Sequence, residues 1–107
     1  MIVVINMNKL SQVVYKNKNK EYIENCVIEE MSELTKAIIK DKRGLKDINN
    51  LEEEIGHVIL MCNALMKCHG IPEYAICEEA EDAVNRMLLD IENNKSHELN
   101  KHYNKDI

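Results

Sequence analysis

Residues 51–65 read LEEEIGHVILMCNAL and predict a helix that is apolar on nearly every side. A helix of this kind is stable only when several of its sides are covered. A chain of 107 residues has too few other helices to cover it alone. The stretch therefore predicts an all-α protein in which two copies of the chain complete a four-helix bundle.

The composition indicates one helical domain over residues 1–107. Phe and Trp are absent, so the core must be built from aliphatic side chains and methionine. Three glycines and one proline provide little turn chemistry for a fold of many strands. The formal net charge of −5 argues against a nucleic-acid partner.

The cysteines and the start of the chain bear on the compartment. The four cysteines form no CxxC pair and are interpreted as small buried thiols in a reducing cytoplasm. The first apolar run lacks a basic segment before it, and no stretch approaches the roughly 20 apolar residues of a membrane span. We therefore expect a cytoplasmic protein without a membrane segment. The cysteines are Cys26, Cys62, Cys68 and Cys77.

Helical periodicity divides the chain into a short first helix, a helical hairpin and a third long helix. The polar run KNKNK at 16–20 is the expected joint before the hairpin. The expected core spans about 20–94, and the polar tail at 95–107 is expected to fray. The predicted helices cover about 7–16, 21–42, 50–69 and 72–94.

Capping residues set the predicted ends of these helices. Gly44 and Gly70 follow helix ends as C′ glycines. Asn50 is the predicted N-cap of the second hairpin helix, with Glu53 completing a capping box. Pro72 suits the first position of the last helix. Expected inward side chains are Leu10, Val13 and Val14 on the first helix and Cys77, Ala80, Val84, Met87, Leu88 and Ile91 on the last.

The two hairpin helices carry the same unusual pattern of acids. At 100° per residue, Glu30 lies in the middle of the apolar arc of one helix, and Glu33 lies at its edge. Glu54 and His57 take the corresponding positions on the other helix. Glutamates spaced three apart usually form a solvated face, but a central place in both apolar arcs argues for a shared site.

Facing carboxylates in a core are costly unless they are protonated, paired with a base or bound to a cation. Neither arc contains a Lys or Arg, and His57 is the nearest base. A divalent metal held by Glu30, Glu33 and Glu54 is the economical prediction. The off-centre acids Glu29, Glu52 and Glu53 are expected to be solvated, or outer ligands at best.

The pair Glu30-x-x-Glu33 and Glu54-x-x-His57 resembles the ExxE and ExxD motifs of the MazG-like nucleoside triphosphate pyrophosphohydrolases. The segments IEEMSELTKAIIK and NNLEEEIGHVILMCNAL resemble the two motif helices of that family, and the similarity covers about residues 20–90. The resemblance implies an all-α homodimer or dimer of dimers. It also implies Mg²⁺-dependent hydrolysis of a (d)NTP to a (d)NMP and pyrophosphate.

The resemblance also implies roles for individual residues. Glu30, Glu33, Glu54 and His57 stand at the metal-binding positions, and Glu33 and Glu54 are the expected catalytic acids. Arg86 matches a phosphate-binding arginine of the third helix, although it faces away from the predicted inward stripe, and a solvated arginine is the alternative. Ala83 stands where the family often has a basic residue. In the tail, Lys101, His102 and Tyr103 could fold over a bound phosphate, and a disordered tail is the alternative.

His57 stands where the family has an aspartate, and three interpretations stay open. Imidazole suits Mn²⁺ or another transition metal better than Mg²⁺, so the histidine could shift the metal preference. It could instead act as a hydrogen-bonding or acid–base group beside Mg²⁺. As a third possibility, a protonated His57 replaces the metal as the missing cation. The chain would then be a catalytically silent nucleotide binder or a helical dimeric interaction module.

Overall fold

The computed structural model describes the backbone of residues 2–105 and the side chains of residues 7–95. This range contains four α-helices and no strand, which confirms the predicted all-α class. The helices are α1 (Ile2–Asn17), α2 (Lys20–Lys42), α3 (Ile48–Cys68) and α4 (Glu73–Lys105). None of them is long and apolar enough to cross a membrane.

The chain forms two compact units, Met1–Ile71 and Pro72–Ile107. The first contains α1, α2 and α3, and the second contains α4. The helix α4 continues to Lys105, beyond the end predicted near residue 94. The predicted phosphate contacts of Lys101, His102 and Tyr103 lie outside the described side chains.

The core of the first unit lies where α3 packs against α1 and α2. Ile23 and Ala64 are completely buried and come from α2 and α3, respectively. Ile23 belongs to the predicted apolar arc of α2 that also contains Glu30, because helical periodicity determines which side chains share a face. The buried cluster is Ile23, Val27, Met61 and Ala64, bordered by Val14, Cys26, Leu60, Cys62, Leu65 and Cys68.

Both helices of the hairpin end at the glycines that the sequence predicts. Gly44 has a φ of 84°, its N–H donates to the Asp41 carbonyl, and Leu45 N–H donates to the Lys40 carbonyl. These two bonds close α2 with the left-handed glycine motif. Gly70 has a φ of 62° and follows α3. The two predicted C′ glycines are therefore confirmed.

The predicted start of α3 is wrong. Asp47, rather than Asn50, is the N-cap, and its carboxylate accepts the Asn50 N–H at 3.0 Å. Aspartate is as good a cap as asparagine. Capping at Asp47 adds Ile48 and the following residues to the first turn of the helix.

The inward face of α1 also differs from the prediction. Leu10 and Val13 are exposed, whereas Ser11 is fully buried beside the partly buried Val14. The Ser11 hydroxyl donates to the Asn8 carbonyl at 3.0 Å, so its burial leaves no unsatisfied donor. A small hydroxyl residue can therefore occupy a core position that the apolar pattern alone did not reveal.

The predicted inward stripe of α4 is exposed. Its unit contains no second helix within the described residues, so the stripe has no packing partner inside the unit. This is a difference from the predicted burial, and it leaves a long apolar face on α4. The exposed stripe residues are Cys77, Ala80, Val84, Met87, Leu88 and Ile91.

Candidate metal centre

The three central residues of the predicted site come together between α2 and α3. Glu30 projects from α2, one turn after the buried Val27. Glu54 and His57 project from α3, one turn apart. One ligand atom from each of the three side chains lies within 4.8 Å of the others. Helical periodicity therefore identified three residues that the fold places together.

Glu30 and His57 are in direct contact. The distance from His57 Nδ1 to Glu30 Oε2 is 3.1 Å. The Glu30 side chain is 23% exposed and that of His57 is 47% exposed. When Nδ1 carries a proton it donates to the carboxylate, and when Nδ1 is unprotonated its lone pair is free for a metal. The same nitrogen can therefore pair with Glu30 or join it in holding a cation.

Glu54 is the least satisfied member of the cluster. Its Oε2 is buried and accepts no hydrogen bond from any group that the structure describes. Loss of solvation raises the pKa of Glu54, and the nearby Glu30 carboxylate raises it further. His57 lowers this pKa, whereas Glu53 and Glu33 add small increases. A buried carboxylate oxygen without a partner needs a proton or a cation.

The donor set fits a divalent cation. Two carboxylates and one imidazole provide oxygen and nitrogen ligands, and at least one oxygen has no competing partner. This mixed set suits Mn²⁺ or another transition metal better than Mg²⁺, which prefers oxygen ligands. Three groups leave further coordination positions for water or a ligand of the metal.

Glu33 is predicted as both ligand and catalytic acid, and the structure does not bring it into the three-residue cluster. Its Oε1 lies 3.3 Å from Lys36 Nζ, and both side chains are substantially exposed. An exposed pair at this spacing contributes little stability, about 0.3–0.5 kcal/mol, and is easily exchanged. The roles of Glu33 in metal binding and catalysis stay predictions.

A cavity of about 270 Å³ lies beside the cluster, between the end of α2 and the start of α3. Glu33 and Glu54 both line it, which connects the cavity to the acidic residues. The basic wall of this cavity, formed by Lys36, Lys40 and Arg43, was not predicted from the sequence. The signal was present, because spacings of four and three place these three residues on one face of a helix. The other lining residues are Ala37, Ile39 and Asn50.

The remaining acids and Arg86 are not members of the three-residue cluster. Glu29, Glu52 and Glu53 are exposed, which confirms that they are solvated. Arg86 is exposed on α4, and its Nε–H donates to the Asp82 carbonyl of the same helix at 3.4 Å. The phosphate-binding role of Arg86 stays a prediction.

Comparison with known proteins gives no match to this chain. No family model, curated protein or solved structure matches it. Support for a function therefore comes from the geometry of the site and from the resemblance of its motifs to those of MazG-like enzymes.

Proposed function

We propose that the protein is a MazG-like, metal-dependent nucleoside triphosphate pyrophosphohydrolase that converts a (d)NTP and water to a (d)NMP and pyrophosphate. Glu30, Glu54 and His57 hold the metal, with Glu33 as a further ligand or as the group that accepts a proton from the attacking water. The expected ion is Mg²⁺, or Mn²⁺ because of the imidazole.

One observation carries this proposal: the buried Oε2 of Glu54 has no hydrogen-bond partner within a cluster of three potential ligands. A cation at this point would satisfy that oxygen and reduce the repulsion between Glu54 and Glu30. An acid pair that served only stability would be an expensive way to fill the space between two helices, because apolar side chains of similar size avoid the desolvation cost.

The residues of the chain have separate tasks in this proposal. The bound metal would neutralise charge on the triphosphate. Glu30 and Glu54 fix its position from two different helices, which makes the site depend on the hairpin being folded. Glu33 is accessible on the wall of the adjoining cavity, where a carboxylate can orient water and take up its proton. Arg86 remains a proposed phosphate contact.

A second candidate is a catalytically silent nucleotide-binding or helical interaction module of the same fold. The contact of 3.1 Å between His57 and Glu30 favours it, because a protonated imidazole can offset the acids without a metal. Such a protein would keep the hairpin and lose the need for an ion. The two candidates differ in whether a metal binds at all.

Assembly as a homodimer or homotetramer is part of the proposal. α2 has a second apolar face, about 100–160° around the helix from Glu30 by the helical period, where Ile28 is 66% exposed and Met31 is 54% exposed. This face of the first unit and, separately, the exposed stripe of α4 are apolar surfaces of the kind that a bundle of two chains would cover. Free thiols and a substrate drawn from nucleotide pools agree with a cytoplasmic protein.

A nucleotide panel tests the enzymatic proposal. Pyrophosphate release is measured for the common and noncanonical (d)NTPs, once with Mg²⁺ and once with Mn²⁺. Release from at least one nucleotide, abolished in Glu54→Ala and retained in Glu53→Ala, is the expected result. Glu53 is the matched control because it is an exposed neighbour of the same type. No release from any nucleotide with either metal would reject the enzyme and leave the silent module.

A further inference from the structure

We propose that the cavity lined by Lys36, Lys40 and Arg43 is a binding subsite for two linked phosphoryl groups, as found in inorganic pyrophosphate and in the terminal part of a nucleoside triphosphate. These three residues are called the basic wall. The inference rests on the proposed function and extends it by identifying which part of the ligand occupies the cavity and which residues hold it.

The basic wall is a continuous feature of one helix. Lys36 and Lys40 lie one turn apart on α2, and Arg43 is the C-cap that follows it. Side chains with these spacings project from the same face, so three positive groups surround one concave space. The positive charge concentrated on this face contrasts with the net charge of −5 of the whole chain.

Two cations of the basic wall have unused binding capacity. Lys36 is paired with Glu33 at 3.3 Å, whereas Lys40 and Arg43 form no ion pair with any side chain that the structure describes. Arg43 offers a planar set of donors suited to phosphate oxygens, and Lys40 offers a compact charge. Asn50 adds an amide from the start of α3 on the opposite side of the cavity.

The acidic residues in the same cavity favour an anion that is bound to a divalent cation over a free anion. Glu33 and Glu54 would repel a free polyanion. A metal on Glu54 would offset that repulsion and attract phosphoryl oxygens, which the basic wall of the same cavity attracts as well. The cavity therefore suits a phosphate chain that arrives with a divalent cation.

The size of the cavity suits a compact anion. Its volume is about 270 Å³, whereas pockets that enclose a whole drug-sized ligand have roughly 300–1,000 Å³. A nucleotide base and sugar would have to lie outside it. Two phosphoryl groups are the part of a nucleotide that the cavity and its charges accommodate together.

Another explanation for the basic wall is stabilisation of the negative end of α2 by cations in its last turn. That role would make Lys40 and Arg43 important for folding stability without any effect of pyrophosphate. Lys42 lies in the same last turn and does not line the cavity, so it separates the two explanations.

The test is calorimetric binding of inorganic pyrophosphate in excess Mg²⁺ or Mn²⁺, with orthophosphate and a non-hydrolysable nucleoside triphosphate in parallel. The double variant Lys40→Gln/Arg43→Gln is compared with Lys42→Gln/Lys46→Gln, which removes the same charge outside the cavity. We expect the first pair to weaken pyrophosphate binding by at least about tenfold, since charge-assisted hydrogen bonds are lost. The second pair should bind pyrophosphate nearly as the unaltered protein does. Melting curves confirm folding, and Lys40→Gln alone serves if the double variant does not fold.

The outcomes separate this inference from the enzymatic proposal. Absent pyrophosphate binding, or equal losses in both double variants, would overturn the subsite even if a (d)NTP is hydrolysed. Pyrophosphate binding that depends on Lys40 and Arg43 supports the subsite even if no nucleotide is hydrolysed. Equal weakening for the nucleotide analogue shows that its terminal phosphates share the subsite, whereas an unchanged affinity overturns that part of the inference.

Discussion

The Nδ1 of His57 on α3 lies 3.1 Å from the Oε2 of Glu30 on α2, across the helix pair that forms the hairpin. This contact determines how the acidic pair is balanced, because Glu54 stands beside it with a buried oxygen that has no partner. The imidazole either accompanies a metal as a ligand or replaces it as a cation, and each alternative has a measurable consequence.

Replacing His57 by aspartate should shift the metal preference of the site toward Mg²⁺. The substitution exchanges an imidazole nitrogen for carboxylate oxygens, which Mg²⁺ prefers. We expect Mg²⁺ to bind more tightly by on the order of tenfold, a size typical of changes around a metal site, and hydrolysis with Mg²⁺ to increase. Titration calorimetry and the pyrophosphate assay measure these effects.

His69→Asp is the matched control for this substitution, because His69 is exposed at the end of α3. It adds the same carboxylate outside the cluster and should leave Mg²⁺ binding unchanged. Equal Mg²⁺ affinity in the unaltered protein and in His57→Asp would show that the histidine does not control the choice of metal.

Replacing Glu54 by glutamine should stabilise the metal-free protein at neutral pH. Burial and Glu30 raise the pKa of Glu54 above its ordinary value of 4.5, so the ionised form is disfavoured in the folded state. The stability contributed by the protonated form is complete below 4.5 and is lost as the pH rises through the higher folded pKa. The melting temperature of Glu54→Gln should therefore exceed that of the unaltered protein near pH 7, and the difference should disappear at acidic pH.

Melting curves in a chelator from pH 4 to 8 measure this difference, with Glu53→Gln as the exposed control. Addition of Mn²⁺ should then raise the melting temperature of the unaltered protein more than that of Glu54→Gln, because binding to the folded state stabilises it. A difference in melting temperature that is the same at every pH would show that ionisation of Glu54 does not oppose folding.

The faces on which Glu30, Glu54 and His57 lie follow from helical periodicity, because the same spacing that defines the apolar arc of each helix also places these residues on it or at its edge. Periodicity does not fix the conformation of a long side chain, and Glu33 turns toward Lys36 and the cavity. The spacing of Lys36, Lys40 and Arg43 places them on one face of α2, but the cavity that this face lines depends on how α2 and α3 pack, which the sequence does not show. The prediction of Asn50 as the N-cap was wrong because Asp47, three residues earlier, is an equally good capping residue, and residue type alone does not choose between them.

Truncation of Ile23 should strongly destabilise the first unit. Ile23 is 0% exposed and packs in the cluster that joins α2 to α3. Ile23→Ala should reduce the free energy of unfolding by about 2–5 kcal/mol, from lost transfer energy and the cavity that remains. Urea denaturation measures the change, with Leu45→Ala in the exposed α2–α3 connection as the control. A loss below about 0.5 kcal/mol, as at surface sites, would contradict the assignment of Ile23 to the core.

A charge on the second apolar face of α2 should dissociate the proposed oligomer. Ile28 and Met31 are exposed on this face, and a lysine at either position could not be desolvated in an interface without a partner. We expect the unaltered protein to have the mass of two or four chains in light scattering after gel filtration, and Ile28→Lys to shift toward the mass of one.

Leu45→Lys provides the control for this shift, because Leu45 is as exposed as Ile28 but lies outside the helices. It adds the same charge without touching the second apolar face and should leave the mass unchanged. Equal dissociation of both variants would indicate a general effect of charge, and an unaltered protein with the mass of one chain at micromolar concentration would contradict the oligomer itself. If Ile28→Lys dissociates the oligomer and retains metal binding, the cluster of Glu30, Glu54 and His57 belongs to a single chain, as the distances within one hairpin require.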